Sequence, residues 1–224
     1  HATVAAHYVR AFANGVPKGK VRQKWAGGIV EVEVTGRAPA LRVAVHQSPA
    51  TFGPVVPAER RAPVLDALGI SSSSLHPNCP MQVMSKANSR LLIGLQSPDT
   101  LESLQPDMDA LIHLTPHVGA DGFFVFAVKP GSDPVTTESR MFCPVIGVPE
   151  DPVSGNAHGM LGGYMLSNGL LTATDGKANF VGHQGRFVDR PGTVEVEVTA
   201  SGKRATSVCV AGDATIVYQA EIEL

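Results

Sequence analysis

Residues 150–171 read EDPVSGNAHGMLGGYMLSNGLL. Asp151 precedes a proline, which biases its backbone toward an extended conformation. Ser154, Gly155 and Asn156 then open a helix, and Asn168-Gly169 supplies its stop signal. Gly159, Gly162 and Gly163 are small at positions where strands would wrap a central helix closely. The first N–H groups of such a helix have no internal partner, and a glycine there permits close approach, so the segment is suited to a carboxylate or phosphate. Glu150 and Asp151 place carboxylates beside that anion site. An acid in that position is unfavourable unless it is protonated, hydrogen-bonded or facing a cation. This is one way a carboxyl pKa is raised into a working range for proton transfer. On the segment alone the plainer reading, that Ser154 or Asp151 simply caps the helix, is favoured because such caps are common.

A second helical run opens the chain, HATVAAHYVRAF over residues 1–12. Val4, Tyr8 and Phe12 share one helix face, with small Ala2, Ala5 and Ala6 between them. Asn14-Gly15 ends this run as Asn168-Gly169 ends the other, and Pro17 lies just beyond. Strand-like sequence comes after both helices, which suggests an internal duplication of a strand-wrapped helix. A helix that begins at the first residue has no capping residue before it, so an upstream segment is expected.

Between and after the helices, period-2 patterns predict strands. Residues 21–25, 29–34 and 41–45 read as antiparallel strands, with a hairpin turn at Gly27-Gly28. Residues 47–57 are rich in proline and small residues and read as a linker. Helices are predicted over 58–68 and 106–114, and strands over 81–83 and 91–95. Buried strands are predicted over 123–128 and 141–146. Four strands close the chain, over 180–183, 193–198, 207–210 and 214–221.

Bulk properties exclude several classes. Hydrophobic residues make up 43% and charged ones 17%, the profile of a soluble globular protein. The net charge of −2 comes without clustered lysine or arginine, so no nucleic-acid partner is expected. No apolar run approaches the roughly 18–20 residues of a membrane span, so no membrane partner is expected. Cys79, Cys143 and Cys209 are far apart with no CxxC pair, against a zinc knuckle or dithiol site. An odd cysteine count without a secretion signal fits a reducing, cytoplasmic location.

EDPVSGNAHG resembles the EDPVTGSAHG signature of PhzF-like (phenazine-biosynthesis-like) isomerases, and HATVAAHYV resembles their GHATxAAA signature from the histidine onward. PMQVMSKANSRLLIGL, GFFVFAV, RMFCPVIG, GHQGRFVDRPGTVEVEV and VAGDATIV are similar to that family in order and spacing, so the likeness covers the whole chain. The Gly-Asn-Ala variant is that of the YddE-like branch. The resemblance implies an α+β fold of diaminopimelate-epimerase type, with two pseudo-symmetric halves whose strands wrap a central helix. It divides the chain into residues 1–47, the remainder of an N-terminal domain, residues 48–212, a C-terminal domain, and residues 213–224, a final strand returning to the first. It further implies cofactor-independent proton transfer on a small carboxylate substrate in the interdomain cleft, with no metal, in a homodimer. His1 would be the signature histidine and Asp151 the signature aspartate. The principal acid/base glutamate would lie upstream of His1. Gly155 and Asn156 would be the anion binders at the helix start, while Ser154 beside them and His158, one helical step past the anion site, are taken from their positions as further substrate contacts. The two-thiol chemistry of diaminopimelate epimerases is disfavoured, since no cysteine lies in a loop–helix signature.

The remaining polar residues carry weaker signals. His113 and His117 have the spacing of a zinc pair, but Pro116 intervenes and no Glu comes directly after the first His. Ser154 is not in a G-x-S-x-G elbow, which disfavours a serine hydrolase. Arg140 would face either the substrate carboxylate or solvent. Two functions compete: an isomerase or epimerase working by acid/base catalysis, and a non-catalytic small-acid-binding protein that keeps the fold.

Overall fold

The structure, a computed structural model, describes residues 1–25 and 28–221. Helix α1 (Ala2–Asn14) ends at Gly15, whose φ of 82° suits glycine. Strands β1 (Val21–Trp25), β2 (Gly28–Arg37) and β3 (Ala40–Gln47) form an antiparallel meander beneath it. Tyr8 and Ala11 of α1 are buried with Val32, Val34, Leu41, Val43 and Val45. The Tyr8 hydroxyl donates to Pro39 O at 2.6 Å, which fixes the helix on the β2–β3 turn.

The second part begins with β4 (Thr51–Val55) and α2 (Ala62–Leu68), then β5 (Gln82–Lys86) and β6 (Asn88–Leu95). Next come α3 (Asp99–Ser103), α4 (Met108–Val118), β7 (Phe123–Val128), β8 (Val135–Cys143) and β9 (Val148–Asp151). Helix α5 (Gly155–Ser167) leads into β10 (Lys177–Gln184), β11 (Gly192–Ser201) and β12 (Arg204–Gly212). One mixed sheet runs β1-β2-β3-β12-β11-β10-β8-β7-β6-β5-β4, with β9 paired to β8. The joint between β3 and β12 is antiparallel, from Val208↔Gln47 to Gly212↔Val43, so the sheet crosses the expected boundary at residue 47 unbroken.

Both faces of the central strands are covered, as the FFVFAV run of β7 requires. Phe124 and Phe126 pack with Met160, Leu161 and Tyr164 of α5. Phe123, Val125 and Ala127 point the other way, onto Leu65, Leu68 and Leu111 of α2 and α4. Helix α5 is apolar on every side, and residues 157–166 are all buried. It runs against β5, β10, β11 and β12, the strand-wrapped helix expected from its glycines. The α+β class stands.

Some elements differ from expectation. Residues 47–57 are not only a connection, since β4 forms there as a sheet edge and pairs with β5. Pro54 is tolerated because an edge strand can spare an N–H. Helix α4 runs past residue 114 and through Pro116, and within it the Thr115 hydroxyl donates to Leu111 O at 2.9 Å. The strand expected over 141–146 ends at Cys143 in a 3-10 turn. No strand forms over 213–221, and residues 222–224 of that expected strand lie outside the described residues. Ala214 and Ile216 nevertheless pack on the cluster of α1, β2 and β3. The Gly27-Gly28 turn lies partly outside the described residues. No helix among them is long and apolar enough to cross a membrane.

Candidate active site

The start of α5 is built as its sequence suggests. Ser154 is extended, at φ −125° and ψ 101°, and its Oγ accepts the Ala157 N–H at 3.3 Å. Gly155 allows β12 to come close, since a Cβ there would lie 3.1 Å from Val210 Cγ1. Asn156 turns its side chain away from the helix end and donates to Lys86 O at 3.0 Å. The backbone N–H groups of Gly155 and Asn156 are left without a protein acceptor among the described residues, at the positive end of a thirteen-residue helix.

Asp151 closes β9 and reaches the same end of the helix. Its carboxyl is half-buried, and burial pushes its pKa up, opposed first by the Val153 N–H and also by Arg90 and Arg190. Glu150 does not share the site. Neighbours on a strand face opposite ways, and Glu150 meets the Arg140 guanidinium at 2.8 and 3.0 Å. Arg140 in turn donates to Leu101 O and Leu104 O, and its guanidinium lies over the Phe142 and Phe187 rings. Neither is free to hold a ligand.

His1 stands across from this loop, with Nδ1 3.1 Å from Val153 O, so the two signatures meet although 152 positions separate them. Between them lies a cavity of about 140 Å³ lined by His1, Val4, Val153, Gly155, Val210 and Asp213, among others. Asp151 does not itself form its wall. A larger cleft, about 910 Å³, opens at the opposite end of α5, beside Arg61, His76, Cys79, Asn168 and Lys203. It contains none of the signature residues.

His158 is not at the cleft. Its ring is wholly buried, edge-on to Phe124 and pressed against Gly182, with Nδ1 donating to Ser154 O at 2.8 Å. Nε2 has no partner, and burial lowers the ring's pKa to about 4, so it is a neutral core residue with no surface to offer a substrate. His113 Nδ1 bonds Asp109 O, one turn back on its own helix, at 2.7 Å. Among the described residues no group of three or more His, Cys, Asp or Glu is placed to hold a metal ion.

Sequence reasoning missed three residues around the loop. Buried Arg90, on β6, bears on the Asp151 carboxyl, and its Nε has no partner. Lys86 supplies the carbonyl that ties Asn156. Gln184, at the end of β10, bonds both ends of the Asp151–Ser154 loop. All three lie in stretches similar to the family, but nothing in their residue types marks them until the fold joins them.

Comparison with known proteins places this architecture. Residues 1–220 match the family described as "Phenazine biosynthesis-like protein". An uncharacterized isomerase, YddE, of Salmonella typhimurium is 37% identical over 222 residues, which are 99% of this chain and 74% of that protein. The trans-2,3-dihydro-3-hydroxyanthranilate isomerase of Pseudomonas fluorescens is 30% identical over 154 residues, 69% of this chain and 50% of that enzyme. The crystal structure of a Bacillus anthracis phenazine biosynthesis protein of the PhzF family superposes with a TM-score of 0.82 at 18% identity. The match covers all of this chain and 75% of that one, and is a likeness of fold.

Proposed function

The chain belongs to the phenazine biosynthesis-like (PhzF-like) family, and from that premise we propose that it is an isomerase moving a proton on a small, amino-acid-like carboxylic acid without a metal or nucleotide. The observation that carries the reading is the approach of His1 to Val153 O, which sets the first signature against the Asp151 loop and the bare N–H groups of α5. In this reading the substrate carboxylate lies at the N–H groups of Gly155 and Asn156, where the helix end favours negative charge. Ser154 shapes that end as its cap. Asp151 holds and releases a proton, and its raised pKa keeps part of it protonated above the ordinary carboxylate range. His1 assists from the facing side. Fixed N–H donors oppose the charge that develops when the proton leaves carbon. A further acid/base, the glutamate that the resemblance puts upstream of His1, completes the exchange.

The test is solvent exchange. The purified protein is incubated in D₂O with trans-2,3-dihydro-3-hydroxyanthranilate and a panel of small amino-substituted carboxylic acids, and deuterium on carbon is followed by NMR. Exchange is expected with at least one of them, and Asp151→Asn should slow it by about 10²–10⁴-fold. Saturable binding with no deuterium entering any ligand would replace this reading with that of a non-catalytic acid-binding protein.

A further inference from the structure

We propose that Gln184, backed by Gly185, is the positioning residue that holds the Asp151–Ser154 loop in register with the start of α5. The inference rests on the reading of Asp151 as an acid/base group, but the contacts behind it are independent of that chemistry. Gln184 is the last residue of β10 and only 2% exposed. Its Nε2 donates to Asp151 O at 2.5 Å, and its Oε1 accepts the Ser154 N–H at 3.1 Å. One amide therefore brackets Pro152 and Val153. Proline has no N–H to offer, so this short loop depends on outside partners for its backbone groups.

Gly185 adds a second constraint. Its φ is +89°, and a Cβ there would lie 2.5 Å from Pro152 O and nearer still to Arg190 O. The loop thus rests directly on the end of β10, where only glycine lets the two backbones approach. One contact pair then sets three features of the site. The Asp151 carbonyl is anchored, which sets where its carboxyl points. The Ser154 N–H is anchored, which sets where the free N–H groups of α5 begin. Val153 O, held between these anchors, is the group that faces His1.

Gln184 does not line the cavity beside His1. It forms part of the wall of a separate cleft with Lys129, Glu138, His183 and Arg186, so it acts through the loop and not on the substrate. A bulky apolar residue would fill its volume but make neither bond. A neutral carboxyl would make both, with its O–H donating to Asp151 O and its carbonyl accepting from Ser154. An ionised carboxyl would set a negative oxygen against Asp151 O, and that repulsion would drive the side chain off the loop, so that the bond to Ser154 is lost with it.

Two variants test this in the purified protein. In Gln184→Met, exchange of the Ser154 amide should quicken by about tenfold relative to amides inside α5, the loss expected for one buried hydrogen bond. The ¹³C NMR titration of the Asp151 carboxyl should move down toward the ordinary carboxylate range as the loop opens to water. In Gln184→Glu, Ser154 protection should match wild type at low pH and be lost once the introduced carboxyl ionises. A side chain that merely fills space would give protection independent of pH and leave the Asp151 titration in place. Either result overturns the proposal: a folded Gln184→Met with Ser154 exchange and Asp151 titration unchanged, or a Gln184→Glu whose Ser154 protection ignores pH. No substrate enters these measurements, so failure of the isomerase reading would show separately, as absent deuterium exchange by the wild type.

Discussion

The His158 imidazole occupies a site with no room for charge. Phe124 and Gly182 enclose it, Nδ1–H is given to Ser154 O, and Nε2 meets no donor. Its pKa in the folded protein is lowered to about 4 from the usual 6.5. Between these values the unfolded chain binds a proton that the folded chain refuses. His158 therefore leaves stability intact above about pH 6.5 and subtracts from it as pH falls toward 4, by about 3 kcal/mol at the limit. Thermal melts between pH 7.5 and 4.5 should show this fall, and His158→Leu should flatten the slope even though it lowers the melting point at neutral pH. An unchanged slope would mean that the ring is charged or exposed in solution. The sequence placed His158 one helical step beyond the anion site, which was right for distance along the chain. Its direction was not legible, because residues 157–166 of α5 are buried all round, whichever way each side chain points. For Glu150 and Asp151 the signal was present, since strand alternation sends adjacent carboxylates apart. Gln184 had none, as an amide at a strand end looks like any polar surface residue until the loop folds onto it.

At the scale of the element, α5 is where glycine matters most. A Cβ at Gly162 would come 2.8 Å from Val198 Cγ2 and 3.2 Å from Val196 Cγ1. Both are β-branched strand residues with little freedom to turn aside. At Gly163 the nearest atom is Ala205 Cβ at 3.7 Å, an ordinary contact. Alanine gains about 1 kcal/mol over glycine in a helix interior, but overpacking costs about 1–3 kcal/mol. The two neighbours should therefore respond with opposite signs. Gly162→Ala should lower stability by up to about 2 kcal/mol, and Gly163→Ala should raise it by up to about 1 kcal/mol. Denaturant titrations of the two variants decide this, and an equal response would mean that α5 shifts as a unit against β11 and β12. The elements themselves were mostly legible where period and punctuation agreed, as in α1, β7 and α5. Strand β4 was hidden by Pro54 and Gly53, which read as loop. The run over 214–221 alternates as a strand would, but Ala214 and Ile216 pack on the cluster of α1, β2 and β3 without any ladder forming there, and alternation alone does not show whether a run will pair.

Across the whole molecule, burial is unevenly shared. The clusters on the two faces of β5–β8 draw on the same strands, so α5 on one side and α2 and α4 on the other are bound into a single unit. The cluster under α1 is smaller and touches that unit through the β3–β12 pairing, the Arg42–Glu195 ion pair and the contact of His1 with Val153, among others. Hydrophobic stabilisation grows with apolar area removed from water, so the first 47 residues should open before the rest. Native-state hydrogen exchange in mild denaturant should release the amides of Val32 and Val43 at lower denaturant than those of Phe124 and Val125. Val210 marks the seam, paired with Val45 and packed at Gly155 and Gly159; its amide should exchange with the second group. A cavity made where a weaker unit meets a stronger one can open without unfolding the helix whose first N–H groups stand beside it. If all five amides exchange together, the β3–β12 joint welds the sheet into one cooperative body, and the division at residue 47 has no energetic meaning.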